Sequence, residues 1–169
     1  MSEPGVHADE ARVMVQLAAS PSRAFEVFTT ETDLWWGRGP AYRIGGRHPG
    51  TLRFEPGVGG RLIEVFEAPS GERAYVAGEI VAWEPGERLV FSWRGVNFKA
   101  HERTEVEVRF EAVGAGTRVT VIHRGFAALP KDHPVRHGQP EAAFIAGMGR
   151  WWGALLSSLR RRCVAPTGP

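Results

Sequence analysis

The sequence feature that most constrains the fold is a long amphipathic segment near the C-terminus, residues 140–162. Pro140 and Glu141 suit the start of a helix, and the basic run at 160–162 suits its end. Apolar residues between them recur at intervals of three and four, which places them on one side of a helix of about six turns. This wide apolar stripe needs a large apolar surface to cover it; its members are Phe144, Ile145, Met148, Trp151, Trp152, Leu155, Leu156 and Leu159.

The rest of the chain shows the two-residue periodicity of β-strands. It is clearest where Val106, Val108 and Phe110 alternate with charged residues, a pattern typical of an antiparallel sheet with one face in solvent. Turn-forming residues separate the alternating segments at intervals of about 8–12 residues, which also indicates an antiparallel sheet. Strands are predicted at 12–19, 51–55, 61–67, 74–83, 88–94, 104–113 and 117–124.

Two short helices are predicted after the first strand. Ser20 followed by Pro21 is a typical helix start, and Thr32 or Asp33 can begin a second turn. The prediction is therefore a single α+β domain at 11–162, in which a curved antiparallel sheet of about seven strands wraps round the long helix. Flexible termini are predicted at 1–10 and 163–169.

Composition excludes several classes of function. The 169 residues carry a net charge of +2 with scattered charges, which argues against a nucleic-acid partner. Cys163, the single cysteine, excludes an internal disulfide and fits a reducing compartment. Without a leader segment or a long apolar run we predict no membrane span and a cytoplasmic location. No phosphate-binding or dinucleotide motif occurs, and the prolines around His133 and His137 argue against a metal pair, so no cofactor and no metal are predicted.

Several short motifs occur together in a characteristic order along residues 12–160. They are Ser20-Pro21 with Ala24-Phe25, Trp35-Trp36-Gly37, Val58-Gly59-Gly60-Arg61, Gly78-Glu79-Ile80 with Glu84-Pro85, Leu89-Val90-Phe91-Ser92-Trp93, Glu105-Val106, Gly116-Thr117-Arg118-Val119-Thr120, His123-Arg124-Gly125-Phe126 and Gly149-Arg150-Trp151. With them the chain resembles the SRPBCC (START/Bet v 1-like) superfamily, in particular the bacterial branch named after the C-terminal domain of activators of the heat-shock protein 90 ATPase.

The resemblance implies a helix-grip fold with a ligand cavity between the sheet and the C-terminal helix. It implies little about activity, because relatives bind lipids, hormones or polyketides and a few catalyse cyclisation or dehydration. We therefore predict a binding protein rather than an enzyme, which takes a small hydrophobic or amphipathic molecule with His123 as the polar anchor. The predicted ligand-binding residues are Trp36, Phe91, Trp93, Phe110, Val121, His123, Phe144, Met148 and Trp151. Of each adjacent tryptophan pair, 35–36 and 151–152, only one ring is expected to point inward.

Alternatives remain open. A cyclase- or dehydratase-like enzyme would use His123 with Glu64 or Glu79, if their side chains enter the cavity. The sequence leaves the faces of 61–67 and 74–83 undecided, and carboxylates on such strands are more often solvated. The basic loop at 38–53 is either a solvated surface loop or a lid that attracts an anionic ligand. A chaperone-cofactor role and a homodimer are further alternatives.

Overall fold

Seven strands form one antiparallel sheet in the spatial order β1-β7-β6-β5-β4-β3-β2. The computed structural model describes residues 9–95 and 97–164, so most of the predicted flexible termini lies outside the described residues. The strands are β1 Ala11–Leu17, β2 Thr51–Phe54, β3 Arg61–Ala68, β4 Gly71–Glu84, β5 Arg88–Trp93, β6 Thr104–Val113 and β7 Gly116–Arg124; the helices are α1 Pro21–Thr30, α2 Thr32–Trp35 and α3 Glu141–Arg162. The predicted helix-grip α+β fold is confirmed. None of the helices in the described ranges is both long enough and apolar enough to span a bilayer.

The helix starts follow from local chemistry. The Ser20 hydroxyl accepts a hydrogen bond from the Arg23 amide at 3.2 Å, and Pro21 occupies the first helical position of α1. Between β7 and α3, where the sequence predicts no helix or strand, there are two three-residue 3₁₀ helices, Phe126–Ala128 and Pro134–Arg136. Segments that short carry no detectable periodicity.

Two β-bulges decide which side chains of β4 face the core. The pairing with β3 skips Ala77, and the pairing with β5 skips Val81, so the alternation shifts twice along one strand. A side chain at Gly78 would collide with the carbonyl oxygen of Ser92, so the first bulge requires glycine. Ala77 and Ile80 are consequently buried while Glu79 and Val81 are exposed. The side chain of Glu79 therefore does not enter the cavity, as the enzyme alternative would have required of it.

The core occupies the concave face of the sheet, and the helices fill it unevenly. From α1, Phe25 and Phe28 pack their rings against Phe110 with centroid distances of 5.3 and 6.0 Å. The second half of α3 adds buried leucines and ends at Cys163, which is buried in the same cluster rather than free in a tail. The first half of α3 instead faces an opening in the core.

Candidate ligand cavity

A cavity of about 550 Å³ lies between the first half of α3, the concave face of the sheet and two loops. We call the first of these loops, residues 37–50, the lid loop; the second is residues 125–139. The cavity is lined by Trp36, Pro40, Ala41, Tyr42, Arg43, Ile44, Gly46, Leu52, Glu64, Ala77, Trp93, Gly95, Asn97, Phe98, His123, Phe126, Val135, His137, Gln139, Phe144, Gly147, Met148 and Trp151. Its volume falls within the range of about 300–1,000 Å³ that is usual for small-molecule sites.

One wall of the cavity is a cluster of aromatic rings. The centroids of Trp36, Trp93 and Trp151 lie 5.8–5.9 Å from one another, and Tyr42 stacks on Trp151 at 5.6 Å. These rings come from the end of α2, from β5, from α3 and from the lid loop. A wall assembled from four separate elements has a fixed shape only when all four are in place.

His123 lies at the base of this wall and is completely buried. Its Nδ1 accepts a hydrogen bond from the indole N–H of Trp152 at 3.1 Å, so the proton of the neutral ring is on Nε2. Nε2 donates to the Thr104 hydroxyl at 2.7 Å, and that hydroxyl donates to the Trp93 carbonyl at 3.3 Å. Burial lowers the pKa of His123 to about 3.

This network limits what His123 can do chemically. Both ring nitrogens are already engaged, and neither of their partners in the described residues is a carboxylate. A general acid or base needs a pKa near the working pH and a nitrogen within reach of the substrate. His123 instead contributes a neutral aromatic edge to the cavity and holds Trp152 and Thr104 in position.

Glu64 enters the cavity wall, in contrast to the expectation that it is solvated. Its side chain is only 1% exposed. Oε1 accepts the Ile44 amide at 2.9 Å, and Oε2 accepts the amides of Gly45 at 2.9 Å and Gly50 at 3.3 Å. This carboxylate therefore attaches two places of the lid loop, residues 44–45 and residue 50, to β3. Glu79, the other carboxylate considered for the cavity, is on the outer face of the sheet.

Arg43 fastens the lid loop from the other side. Its guanidinium has no exposed surface and forms an ion pair of 2.6 Å with Asp33. It also donates to the carbonyl oxygens of Trp36, Gly37 and Gly50 at 2.8–3.0 Å. The pKa of the Asp33 carboxyl falls, because bonds from the Leu52 amide and Arg43 outweigh the raising effect of burial.

Two tryptophans complete the attachment of the lid loop. The indole N–H of Trp151 donates to the Ala41 carbonyl at 2.7 Å, and that of Trp36 donates to the Tyr42 carbonyl at 3.2 Å. Indole groups thus serve both as cavity wall and as hydrogen-bond donors to the loop that covers it. The lid loop covers the cavity. Of the two alternatives for the basic loop, this agrees with the lid and not with a solvated surface loop.

The basic residues of this region do not form an anion site. The Arg43 charge is committed to Asp33 and to backbone oxygens, and Arg38 also contacts Asp33, at 3.3 Å. Arg47, His48 and Arg53 do not line the cavity. The expectation that the loop attracts an anionic ligand therefore finds no support in the position of these side chains.

Of the nine predicted ligand-binding residues, six line the cavity: Trp36, Trp93, His123, Phe144, Met148 and Trp151. Phe91, Phe110 and Val121 do not, although they point to the concave face as predicted. They lie under rings from α1 and β2, such as Phe25 against Phe110 and Phe54 against Phe91 at 5.2 Å. This half of the concave face is packed core.

The tryptophan pairs also differ from expectation. Trp35 and Trp36 are both buried, because the chain leaves α2 at Trp36 in an extended conformation and the helical angle between neighbours no longer applies. Trp152 is buried in the core while Trp151 faces the cavity and the lid loop. Trp151 and Trp152 can both contact protein because α3 has the sheet on one side and the lid loop on the other.

Tyr42 and Phe98 line the cavity from irregular segments and are additions to the predicted set of binding residues. The signal in the sequence was an aromatic residue within a Gly- and Pro-rich loop, because a loop that is fully exposed does not need a large aromatic side chain. In the described residues, no group of three or more potential ligands is placed to hold a metal ion.

The fold and the motif order agree with one family of proteins. The family model for Activator of Hsp90 ATPase homolog 1-like proteins matches residues 18–160. The chain belongs to this family. No curated protein matches the chain.

Solved structures with the same architecture come from several bacteria. Protein NE0264 from Nitrosomonas europaea matches with a TM-score of 0.62 and 16% identity, over 92% of this chain and 94% of that one. Protein MLL2253 from Mesorhizobium loti matches with 0.59 and 18%, over 90% and 94%. The Aha1 dimer from Colwellia psychrerythraea matches with 0.59 and 17%, over 94% and 98%. At such low identity these likenesses establish the fold alone, which does not specify an activity.

Proposed function

We propose that this protein binds a small hydrophobic or amphipathic molecule in the cavity under the lid loop. The observation that carries the proposal is the aromatic wall of Trp36, Trp93 and Trp151 around a space of about 550 Å³. Rings packed into a core leave no such space, whereas a concave site with apolar walls and a few polar groups suits a small ligand.

Binding is favoured over catalysis by the state of the polar groups. A cyclase or dehydratase would need an acid or base in the cavity, and His123 has both nitrogens engaged within the protein. Glu64 is occupied by backbone amides, and Glu79 is outside. The large exposed apolar side chains, among them Met14, Leu34 and Val81, lie on separate elements of the described structure, which gives little support to a chaperone-cofactor surface.

The test uses N-phenyl-1-naphthylamine, a neutral probe that fluoresces in apolar sites, and two glycines of α3. Gly147 lines the cavity, and a side chain there would have only the Arg150 guanidinium within 4 Å, at 3.7 Å. Leucine in Gly147→Leu should enter the cavity and weaken probe binding about 10-fold or more, an effect expected when a buried ligand loses the space of several atoms.

Gly149→Leu is the matched control. Gly149 also lies in α3 with open space around it, but it does not line the cavity. Both substitutions favour the helix by about the same amount, up to 1 kcal/mol. Probe affinity should stay within about two-fold of the wild-type value in Gly149→Leu. Equal affinities in both variants, or no probe binding to the wild-type protein, would contradict the proposal.

Native mass spectrometry of gently purified protein complements this titration. A co-purified molecule would appear as additional mass that is lost on denaturation. The same spectrum counts subunits, and we propose a homodimer as the state to look for, because the relative from Colwellia psychrerythraea is described as a dimer.

A further inference from the structure

The cavity wall contains one buried charge that has no side-chain counter-ion. Glu64 is 1% exposed, and among the described residues no Lys, Arg or His nitrogen lies within the 4.0 Å of a salt bridge to its carboxylate. Arg43, the buried guanidinium of the lid loop, donates to the carbonyl of Gly50, the residue whose amide binds Glu64, and not to the Glu64 carboxylate. Arg43 is already paired with Asp33. Arg38 and Arg43 both pair with Asp33, so among the described residues the Glu64 carboxylate beside the cavity has no side-chain counter-ion.

The hydrogen bonds of Glu64 leave room for a further donor. A carboxylate has about four acceptor positions, and three are taken by the amides of Ile44, Gly45 and Gly50. A ligand N–H directed at the remaining position would complete the set. Because the bond would form between opposite charges away from water, it would be stronger than one between neutral groups.

The aromatic wall favours the same kind of ligand. The faces of tryptophan and tyrosine rings carry negative electrostatic potential and attract ammonium groups. Trp36, Trp93 and Trp151, with Tyr42 stacked on one of them, present such rings around the space that Glu64 borders. An anionic ligand would meet this wall and an uncompensated carboxylate, with the only buried guanidinium of the lid loop already occupied.

We propose that the ligand of this cavity is a protonated organic amine with an apolar, preferably aromatic, body. The ammonium group donates to Glu64, and the apolar body lies against the tryptophan wall. This inference rests on the proposed binding function and narrows it to a chemical class.

The experiment compares three probes of nearly equal shape that differ in charge: 1-naphthylmethylamine, 1-naphthylmethanol and 1-naphthoate. Their dissociation constants are measured by isothermal titration calorimetry at pH 7 and low salt with the full chain. The amine should bind about 10-fold or more tightly than the alcohol, as expected for one charge-assisted hydrogen bond with cation–π contacts, and the carboxylate should bind most weakly.

Glu64→Gln and Glu79→Gln form a matched pair, because each removes one negative charge from neighbouring strands of the same sheet. Glu64→Gln should reduce the preference for amine over alcohol to about two-fold or less, with the alcohol affinity reporting that the cavity is intact. Glu79→Gln, on the exposed outer face, should keep the wild-type preference. If Glu64→Gln does not fold, as judged by near-ultraviolet circular dichroism, the amine inference is tested by the preference of the wild-type protein for amine over alcohol alone.

The outcomes separate the two proposals. Equal affinity for amine and alcohol in the wild-type protein, or an unchanged preference in a folded Glu64→Gln variant, would overturn the amine inference and leave the binding function standing. Failure of all three naphthyl probes and of N-phenyl-1-naphthylamine to bind would overturn both.

Discussion

His123 shows how a single residue can be placed correctly by sequence and yet differ in chemistry from what its type suggests. The sequence predicted His123 as a residue of the cavity, and it lines that cavity with no exposed surface. Its partners, Trp152 and Thr104, come from α3 and β6, 29 and 19 residues away. Contacts that distant leave no local trace in the sequence, so the role of His123 as a neutral structural group follows only from the fold.

The first prediction at this scale concerns the protonation of His123. Burial holds its pKa at about 3, so the ring should remain neutral from pH 7 to pH 4, with the proton on Nε2. Two-dimensional ¹H–¹⁵N spectra of the histidine rings distinguish the two neutral tautomers and the charged form. A midpoint for His123 near pH 6.5, or a proton on Nδ1, would contradict the assignment.

At the scale of elements, the lid loop is the part of the molecule that local sequence describes least. Its Gly, Pro and Arg content correctly indicated an irregular segment. The residues that hold it, Asp33 in α2, Glu64 in β3 and Trp151 in α3, lie on three separate elements. A loop that binds three elements through buried polar groups should be ordered rather than mobile.

Arg43→Gln tests this attachment. Loss of the guanidinium leaves Asp33 without its buried partner and removes donors from the carbonyls of Trp36, Gly37 and Gly50, so we expect the free energy of unfolding to fall by about 3 kcal/mol. The Ile44 and Gly45 amides, which donate to Glu64, should exchange with solvent deuterium faster than in the wild type.

Arg47→Gln is the control within the same loop, because Arg47 is exposed. Its unfolding free energy should change by less than about 0.5 kcal/mol, and exchange at the two amides should not change. Similar destabilisation in both variants would show that loss of positive charge, rather than loss of the buried contacts, is responsible.

At the scale of the whole molecule, two buried ionisable groups with large pKa shifts should contribute strongly to the dependence of stability on pH. Besides His123, Glu107 is buried on the convex side, where Arg88, Arg109 and Arg124 from three adjacent strands donate to its carboxylate. Burial alone raises the pKa of Glu107, but the bonds from these arginines outweigh it and lower the pKa to about 2.

Both groups stabilise the folded protein at neutral pH and lose that effect in acid. The folded pKa of His123, about 3, lies below its ordinary value of 6.5, so the unfolded chain binds a proton first and stability falls between those two values. Glu107 adds a second loss between its ordinary value of 4.5 and about 2. Each group should contribute a slope of about 1.4 kcal/mol per pH unit within its window.

Urea unfolding of the wild type, His123→Gln and Glu107→Gln between pH 7 and pH 3 measures these slopes. His123→Gln should lack the loss of stability that begins near pH 6.5, whereas Glu107→Gln should differ in slope from the wild type only below about pH 4.5. Parallel curves for the wild type and His123→Gln between pH 6.5 and pH 5 would contradict the buried neutral histidine.

Much of this protein follows from its sequence alone. The stripe of α3 and the alternation in β6 and β7 depend on residues a few positions apart, because the periods of helix and strand are local properties of the backbone. The α+β class follows from the same local patterns, whereas family membership follows from the resemblance carried by short motifs in order along the chain.

Only the tertiary structure decided the rest. The bulges around Ala77 and Val81 place Glu79 outside. The packing of α1 over Phe110 and of Phe54 from β2 over Phe91 keeps both rings out of the cavity. The lid loop donates backbone amides to Glu64 and buries its side chain. These outcomes depend on which elements meet across the sheet, and the free energy of such contacts is shared among residues far apart in the chain. The ligand cavity is the space that this packing leaves, so its walls and its charge are properties of the assembled fold.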